Sequence, residues 1–276
     1  MRLVLLSVED LKIRFLGQDF NAVDGVSFKV EEAEILGLVG ESGAGKSITG
    51  RSILRLLPPN GRIFGGRILF KGTDLLSLSE DDMRKIRGKE ITAVQQDPLS
   101  SLNPAFRIRD QMFDILRIHL GLKGQEAEEY SVKLLEEVGI PAPLVVLRKF
   151  PHQLSGGMCQ RVMIAIAFSC NPKLVIADEP TTALDVITQA LVVNLMKRMR
   201  EKHKTSIIFI THNLALASNI CDRIAVMKLG KIVEMKPTKE LFKAPEHPYT
   251  LALLEAVPRV GRRVTRLREE GKDWRA

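Results

Sequence analysis

The chain has 276 residues, 45% of them hydrophobic and 27% charged, with a formal net charge of +8 at pH 7. A chain of this length lies near the upper limit for one hydrophobic core, so one large domain with a lobe or tail is expected, with the composition of a folded soluble protein. No apolar run approaches the roughly 20 residues that cross a bilayer, and the apolar start meets Glu9 and Asp10 too early for a signal peptide, so a cytosolic chain is expected.

Alternation in Leu11-Lys12-Ile13-Arg14-Phe15 and Val26-Ser27-Phe28-Lys29-Val30 predicts half-buried antiparallel strands. Ile35-Leu36-Gly37-Leu38-Val39 is continuously apolar, as a strand buried on both faces would be. A glycine-rich turn comes next, then a helix predicted to run through Leu57 before Pro58-Pro59 stops it. Another strand is expected at 67–70 and a polar helix at 79–86. From about 98 the pattern becomes helical, with apolar residues at helical spacing over 108–120 and 126–138, broken by Gly121 and Gly139-Ile140-Pro141. A helix after Ser155-Gly156-Gly157 reaches about Ser169, and strands near Val175, Ile208 and Ala225 alternate with helices. The prediction is an α/β core of mostly parallel strands, with an antiparallel β part and an inserted helical lobe.

Gly40-Glu41-Ser42-Gly43-Ala44-Gly45-Lys46-Ser47 fits G-x-x-x-x-G-K-S between an apolar strand and a helix, the context that marks a phosphate-binding loop. Its glycines let backbone N–H groups, that of Ser42 among them, curl around phosphate oxygens, and the helix N-terminus adds a favourable dipole. Lys46 is expected to reach the β- and γ-phosphates and the Ser47 hydroxyl to ligate Mg²⁺. Leu174-Val175-Ile176-Ala177 runs into two carboxylates. Asp178 would hold Mg²⁺, directly or through water, and Glu179 would orient and polarise the attacking water. In Leu154-Ser155-Gly156-Gly157, the serine and glycine N–H groups at a helix start make a second anion cradle. One chain with two cradles but a single G-x-x-x-x-G-K-S needs a second chain to use both.

With these motifs in this order, the sequence resembles the ATP-binding subunits of ABC transporters over roughly residues 5–258. The resemblance implies a P-loop ABC ATPase fold working on ATP and Mg²⁺. Gln96, in Gln95-Gln96-Asp97-Pro98, matches the glutamine that senses the γ-phosphate and Mg²⁺ and relays to membrane subunits. Asp185, in Ala183-Leu184-Asp185, matches the loop that crosses the dimer interface, and His212, in Ile210-Thr211-His212, the histidine that contacts the γ-phosphate. Phe15 is the candidate for stacking on adenine, with Phe20 competing. Longer segments are similar to the peptide/nickel importer ATPases: Gln96-Asp97-Pro98-Leu99-Ser100-Ser101-Leu102-Asn103-Pro104, Ala177-Asp178-Glu179-Pro180-Thr181-Thr182-Ala183-Leu184-Asp185-Val186, and Pro245-Glu246-His247-Pro248-Tyr249-Thr250. The likeness further implies an ATPase paired with a second ABC ATPase subunit, identical or homologous. It would dock on two integral-membrane permease subunits at the cytoplasmic face of the cell membrane, and meet an extracytoplasmic solute-binding protein only indirectly. Peptides are the expected cargo; nickel or a metal chelate is the alternative that ATPase motifs leave open.

Two departures stand out. Cys159 occupies a position where the family usually has arginine, although Ser155 and Gly157 are intact. No cysteine follows Cys221, where many peptide-importer members carry a cysteine-rich motif for an iron–sulfur cluster. The cysteines form no CxxC pair and read as reduced structural thiols. One ATPase domain is expected over 1–258, its lobe at about 98–160, with a basic tail at 259–276 that includes Arg259, Arg262, Arg263, Arg266 and Arg268. That charge would suit a soluble ABC ATPase acting on nucleic acid or ribosomes. However, aromatic interleaving for base stacking is missing, and such proteins generally carry two cassettes or a long coiled coil. Nucleic acid is not the expected partner.

Overall fold

Side chains that alternate between apolar and polar set the first layer. The computed structural model describes residues 3–256 other than 183. In it β1 (Val4–Phe15) and β2 (Asn21–Glu31) run antiparallel, with Val8 opposite Phe28 and Ile13 opposite Val23. β3 (Ile35–Val39), buried at every residue, leaves this layer and leads to α1 (Lys46–Ile53). β4 (Gly61–Phe70) returns beside β1 and carries the short β5 (Thr73–Asp74), giving an antiparallel sheet ordered β2-β1-β4-β5. α1 stops short of the predicted Leu57. Arg55 takes a left-handed φ of 53° and its guanidinium donates to the Leu75 and Leu78 carbonyls, so the chain turns away before Pro58 can end the helix.

α2 (Glu80–Ile86) starts on Ser79, whose hydroxyl accepts the Asp82 N–H. β6 (Ile91–Val94) comes next, too short for periodicity to single out. The helical lobe comprises α3 (Pro98–Ser101), α4 (Ile108–Leu120), α5 (Gly124–Glu137) and α6 (Pro143–Leu147), and α7 (Gly156–Phe168) runs from it into the main core. β7 (Leu174–Asp178), α8 (Val186–His203), β8 (Ser206–Thr211), α9 (Leu214–Ile220) and β9 (Arg223–Lys228) then alternate. β10 (Lys231–Pro237) folds back antiparallel on β9 before α10 (Thr238–Lys243) and α11 (Pro248–Glu255). The predicted basic tail, 259–276, lies outside the described residues.

The main sheet is ordered β10-β9-β3-β8-β7-β6, and every neighbouring pair except β10–β9 is parallel. Its side chains alternate between two cores, as the period of a strand requires. Leu36, Leu38, Ile176, Ile208 and Ile210 face the antiparallel sheet and α1. Ile35, Val39, Val175, Ala177, Ile207 and Phe209 face α7, α8, α9 and the lobe. Each of the Val, Leu, Ile and Phe side chains among them contributes about 1.5–3 kcal/mol when fully buried, which fixes the sheet between its two cores. Cys159, Cys170 and Cys221 are all free and buried, and burial pushes each thiol pKa up, in keeping with structural thiols. Cys159 Sγ lies 3.4 Å from the Pro151 carbonyl oxygen, within the core.

A buried carboxylate ties β10 to the chain beyond it. Glu234 accepts the N–H groups of Glu246 at 2.9 Å and His247 at 3.0 Å, and Lys236 reaches it at 3.3 Å. Burial alone would raise this carboxyl, but the Thr250 side chain, those two N–H groups and Lys236 outweigh it and hold its pKa at about 2. A carboxyl held below its ordinary 4.5 stabilises the fold above that value and loses its contribution as pH falls through about 2. Glu234→Gln is expected to cost about 1–3 kcal/mol at neutral pH. The gap to wild type should close between about pH 4.5 and 2. Urea unfolding across that range checks this, and a gap independent of pH would remove the charge from the explanation.

Candidate nucleotide site

The chain leaves β3 into a loop with no room for a side chain at Gly40 or Gly45. A Cβ at Gly40 would lie 2.2 Å from the Met227 carbonyl oxygen, and one at Gly45, where φ is +97°, would lie 2.5 Å from that of Ala22. Only glycine fits either position. α1 then opens at Lys46 without a side-chain cap, which leaves first-turn N–H donors available to an anion. Lys46 is buried, and its ammonium donates to the carbonyls of Gly40 and Glu41, each at 2.8 Å. Burial lowers the pKa of this ammonium, against the pull of the Glu179, Asp178 and Glu41 carboxylates.

β7 delivers the two adjacent carboxylates. Asp178 accepts the Ser47 hydroxyl at 2.7 Å. Burial raises its carboxyl, and the Ser47 bond only partly opposes that. Glu179 takes a left-handed φ of 48°, rare for a residue with a Cβ, and its N–H bonds the Ile210 carbonyl at 2.9 Å. Its carboxylate accepts the Thr182 hydroxyl at 2.7 Å and lies 3.1 Å from His212 Nδ1. Burial would raise the Glu179 carboxyl, but Thr182 and His212 prevail and hold its pKa below the ordinary value. It is therefore ionised at neutral pH, as an acceptor of a water proton must be.

Phe15, Ser42, Gly43, Gly45, Lys46, Ser47, Gln96, Glu179 and His212 line one cleft of about 790 Å³. Asp178 adjoins it through Ser47, and Gly40 contributes its carbonyl to Lys46. Phe15 and Phe20 both border the cleft, and the fold does not choose between them.

The other predicted residues lie elsewhere. Ser155 caps α7 by accepting the Met158 N–H, Gly156 faces open space, and a Cβ on Gly157 would meet Thr188 Cγ2 at 3.2 Å. Asp185 caps α8, accepting both the N–H and the hydroxyl of Thr188. The second cradle and the Asp185 turn are thus neighbours, and none of the four lines the cleft.

Sequence reading passed over Glu41, Thr182 and Leu253, which also line the cleft. Thr182 carried a signal, since it follows the carboxylate pair by three residues. Leu253 carried none; it sits in α11, and only folding brings it here.

Comparison with known proteins shows the family. The ABC transporter family matches residues 23–182, and the oligopeptide/dipeptide transporter C-terminal region matches residues 233–273. The chain is 49% identical over 257 residues to the oligopeptide transport ATP-binding protein OppD of Bacillus subtilis (strain 168), spanning 92% of this chain and 72% of that protein. It is 47% identical over 266 residues to the oligopeptide transport ATP-binding protein AppD of the same organism, spanning 95% and 81%. Among solved structures it is similar to a dimeric ATP-binding cassette in a post-hydrolysis state with ADP and Pi. That likeness has a TM-score of 0.75 and 25% identity, over 84% of this chain and 98% of the other. The phosphate loop, the paired carboxylates of β7 and the matches at both ends of the chain lead to one conclusion: the chain belongs to the ABC transporter family, in the branch of the oligopeptide and dipeptide transport ATP-binding proteins.

Proposed function

We propose that this chain is the ATP-hydrolysing subunit of a membrane importer of oligopeptides or dipeptides, driven by ATP-dependent pairing with a second ABC ATPase. One observation carries the pairing: Lys46, Ser47, Glu179 and His212 share a cleft that Ser155, Gly156, Gly157 and Asp185 do not reach. In this reading each nucleotide lies between the first set of one chain and the second set of another. That a similar cassette was solved as a dimer with ADP and Pi supports the pairing.

The residues fit Mg²⁺ as well as ATP. Ser47 and Asp178 meet at 2.7 Å and present hard oxygen ligands. Mg²⁺ keeps several waters and takes phosphate oxygens beside one or two protein ligands. Bound there, Mg²⁺ would neutralise charge on the β- and γ-phosphates. Lys46 and the α1 N–H groups orient and stabilise the phosphates. Glu179 orients the attacking water and accepts its proton, with His212 and Thr182 holding the carboxylate in place and Gln96 at the cleft edge. Phosphoryl transfer to water needs positioning and charge stabilisation above all.

No helix among the described residues is long and apolar enough to cross a membrane. In the proposed complex the chain attaches at the cytoplasmic face to two permease subunits, contacted by the helical lobe at about 98–160, with a solute-binding protein beyond them. The ATPase domain extends over 1–258, and 259–276 form its basic tail.

Lys46→Ala is expected to weaken ATP binding by about 10- to 100-fold through loss of charged hydrogen bonds, read by equilibrium binding. Glu179→Gln should bind MgATP normally yet hydrolyse it about 100-fold more slowly or worse; turnover near the wild-type rate would exclude Glu179 as the base. The same Glu179→Gln protein, held with ATP and Mg²⁺, should co-purify permease subunits from detergent-solubilised membranes of its own cell. Ribosomal proteins or nucleic acid in their place would overturn the transporter reading.

A further inference from the structure

The segment Pro245-Glu246-His247-Pro248-Tyr249-Thr250 takes no part in phosphate chemistry, yet it opens the helix that reaches the nucleotide cleft. Glu234 holds the Glu246 and His247 N–H groups, and His247 Nδ1 accepts the Tyr249 N–H at 3.1 Å, so the start of α11 is firmly placed. Tyr249 and Leu253 stand one turn apart on the same face. Leu253 lines the cleft. Tyr249 is only 9% exposed, and its hydroxyl oxygen accepts the backbone N–H of Glu41, in the phosphate loop, at 3.0 Å. The Lys228 ammonium lies 5.2 Å from the centre of the Tyr249 ring, adding a cation–π contact. Burial raises the phenol pKa, which keeps the hydroxyl neutral.

Packing alone does not call for that hydroxyl, since phenylalanine would fill the same space. What the hydroxyl adds is an anchor for Glu41 from outside the loop. The loop's internal anchor is Lys46, which donates to the Gly40 and Glu41 carbonyls. An ammonium drawn toward a phosphate loosens that hold, whereas the Tyr249 contact does not depend on it.

We propose that Tyr249 is a positioning residue of the phosphate loop, through which α11 sets the loop's shape and its affinity for ATP. This rests on the nucleotide reading of the cleft and extends it to a second, remote segment of the chain.

The test uses the full chain carrying Tyr249→Phe. Hydrogen exchange of the Glu41 amide should rise about tenfold, while amides of β3 and β8 keep their protection. KM for ATP should rise about three- to tenfold with kcat within about twofold of wild type. An unchanged KM overturns the proposal, whatever the exchange shows. Exchange rising throughout β3, β8 and α11 also overturns it, because Tyr249 would then be a packing residue. If wild-type protein fails to bind MgATP, the nucleotide reading falls separately, and unchanged Glu41 exchange in the variant would still reject the anchor.

Discussion

Parallel pairing of β3, β8 and β7 is the constraint on which the rest depends. Val39 pairs with Thr211 and Asp178 with Ile210, so these strands end at the same level of the sheet. The phosphate loop follows β3, the carboxylates close β7, and His212 follows β8. Groups far apart in sequence therefore meet because three buried strands stop together and point the same way. The strands cannot slip without turning apolar side chains from one core into the other, since their faces alternate residue by residue. Ligands in open α/β sheets collect at this edge for that reason.

That constraint also explains the division of labour. Lys46, Glu179 and His212 are placed by the ends of the sheet strands, whereas Ser155 and Asp185 begin helices lying beside it. Both act as caps within this chain, Ser155 accepting the Met158 N–H and Asp185 that of Thr188. The two sets of residues therefore lie on different surfaces of the chain.

Much of the fold was legible in sequence because burial leaves a pattern. Ile35-Leu36-Gly37-Leu38-Val39 reads as a doubly buried strand and is one; the helical lobe announced itself by spacing and by Gly121. Where local pattern and tertiary contact competed, tertiary contact won. α1 ends at Ile53 because Arg55 is drawn to carbonyls in the chain before α2, a contact that no window of neighbours contains. β6 escaped notice because four residues between polar stretches have no period to display.

By itself the sequence determined the motifs and their order: a G-x-x-x-x-G-K-S loop after an apolar strand, two adjacent carboxylates after another, and a Ser-Gly-Gly turn between them. Those are matters of residue type at short spacing, which composition and order express directly. Only the tertiary structure decided which cradle shares a cleft with the carboxylates, that Thr182 and His212 both hold Glu179, and that Tyr249 reaches Glu41 across 208 residues. Such contacts depend on where strands end and helices turn in space. They leave no trace in local periodicity because each is made between segments that are neighbours only after folding.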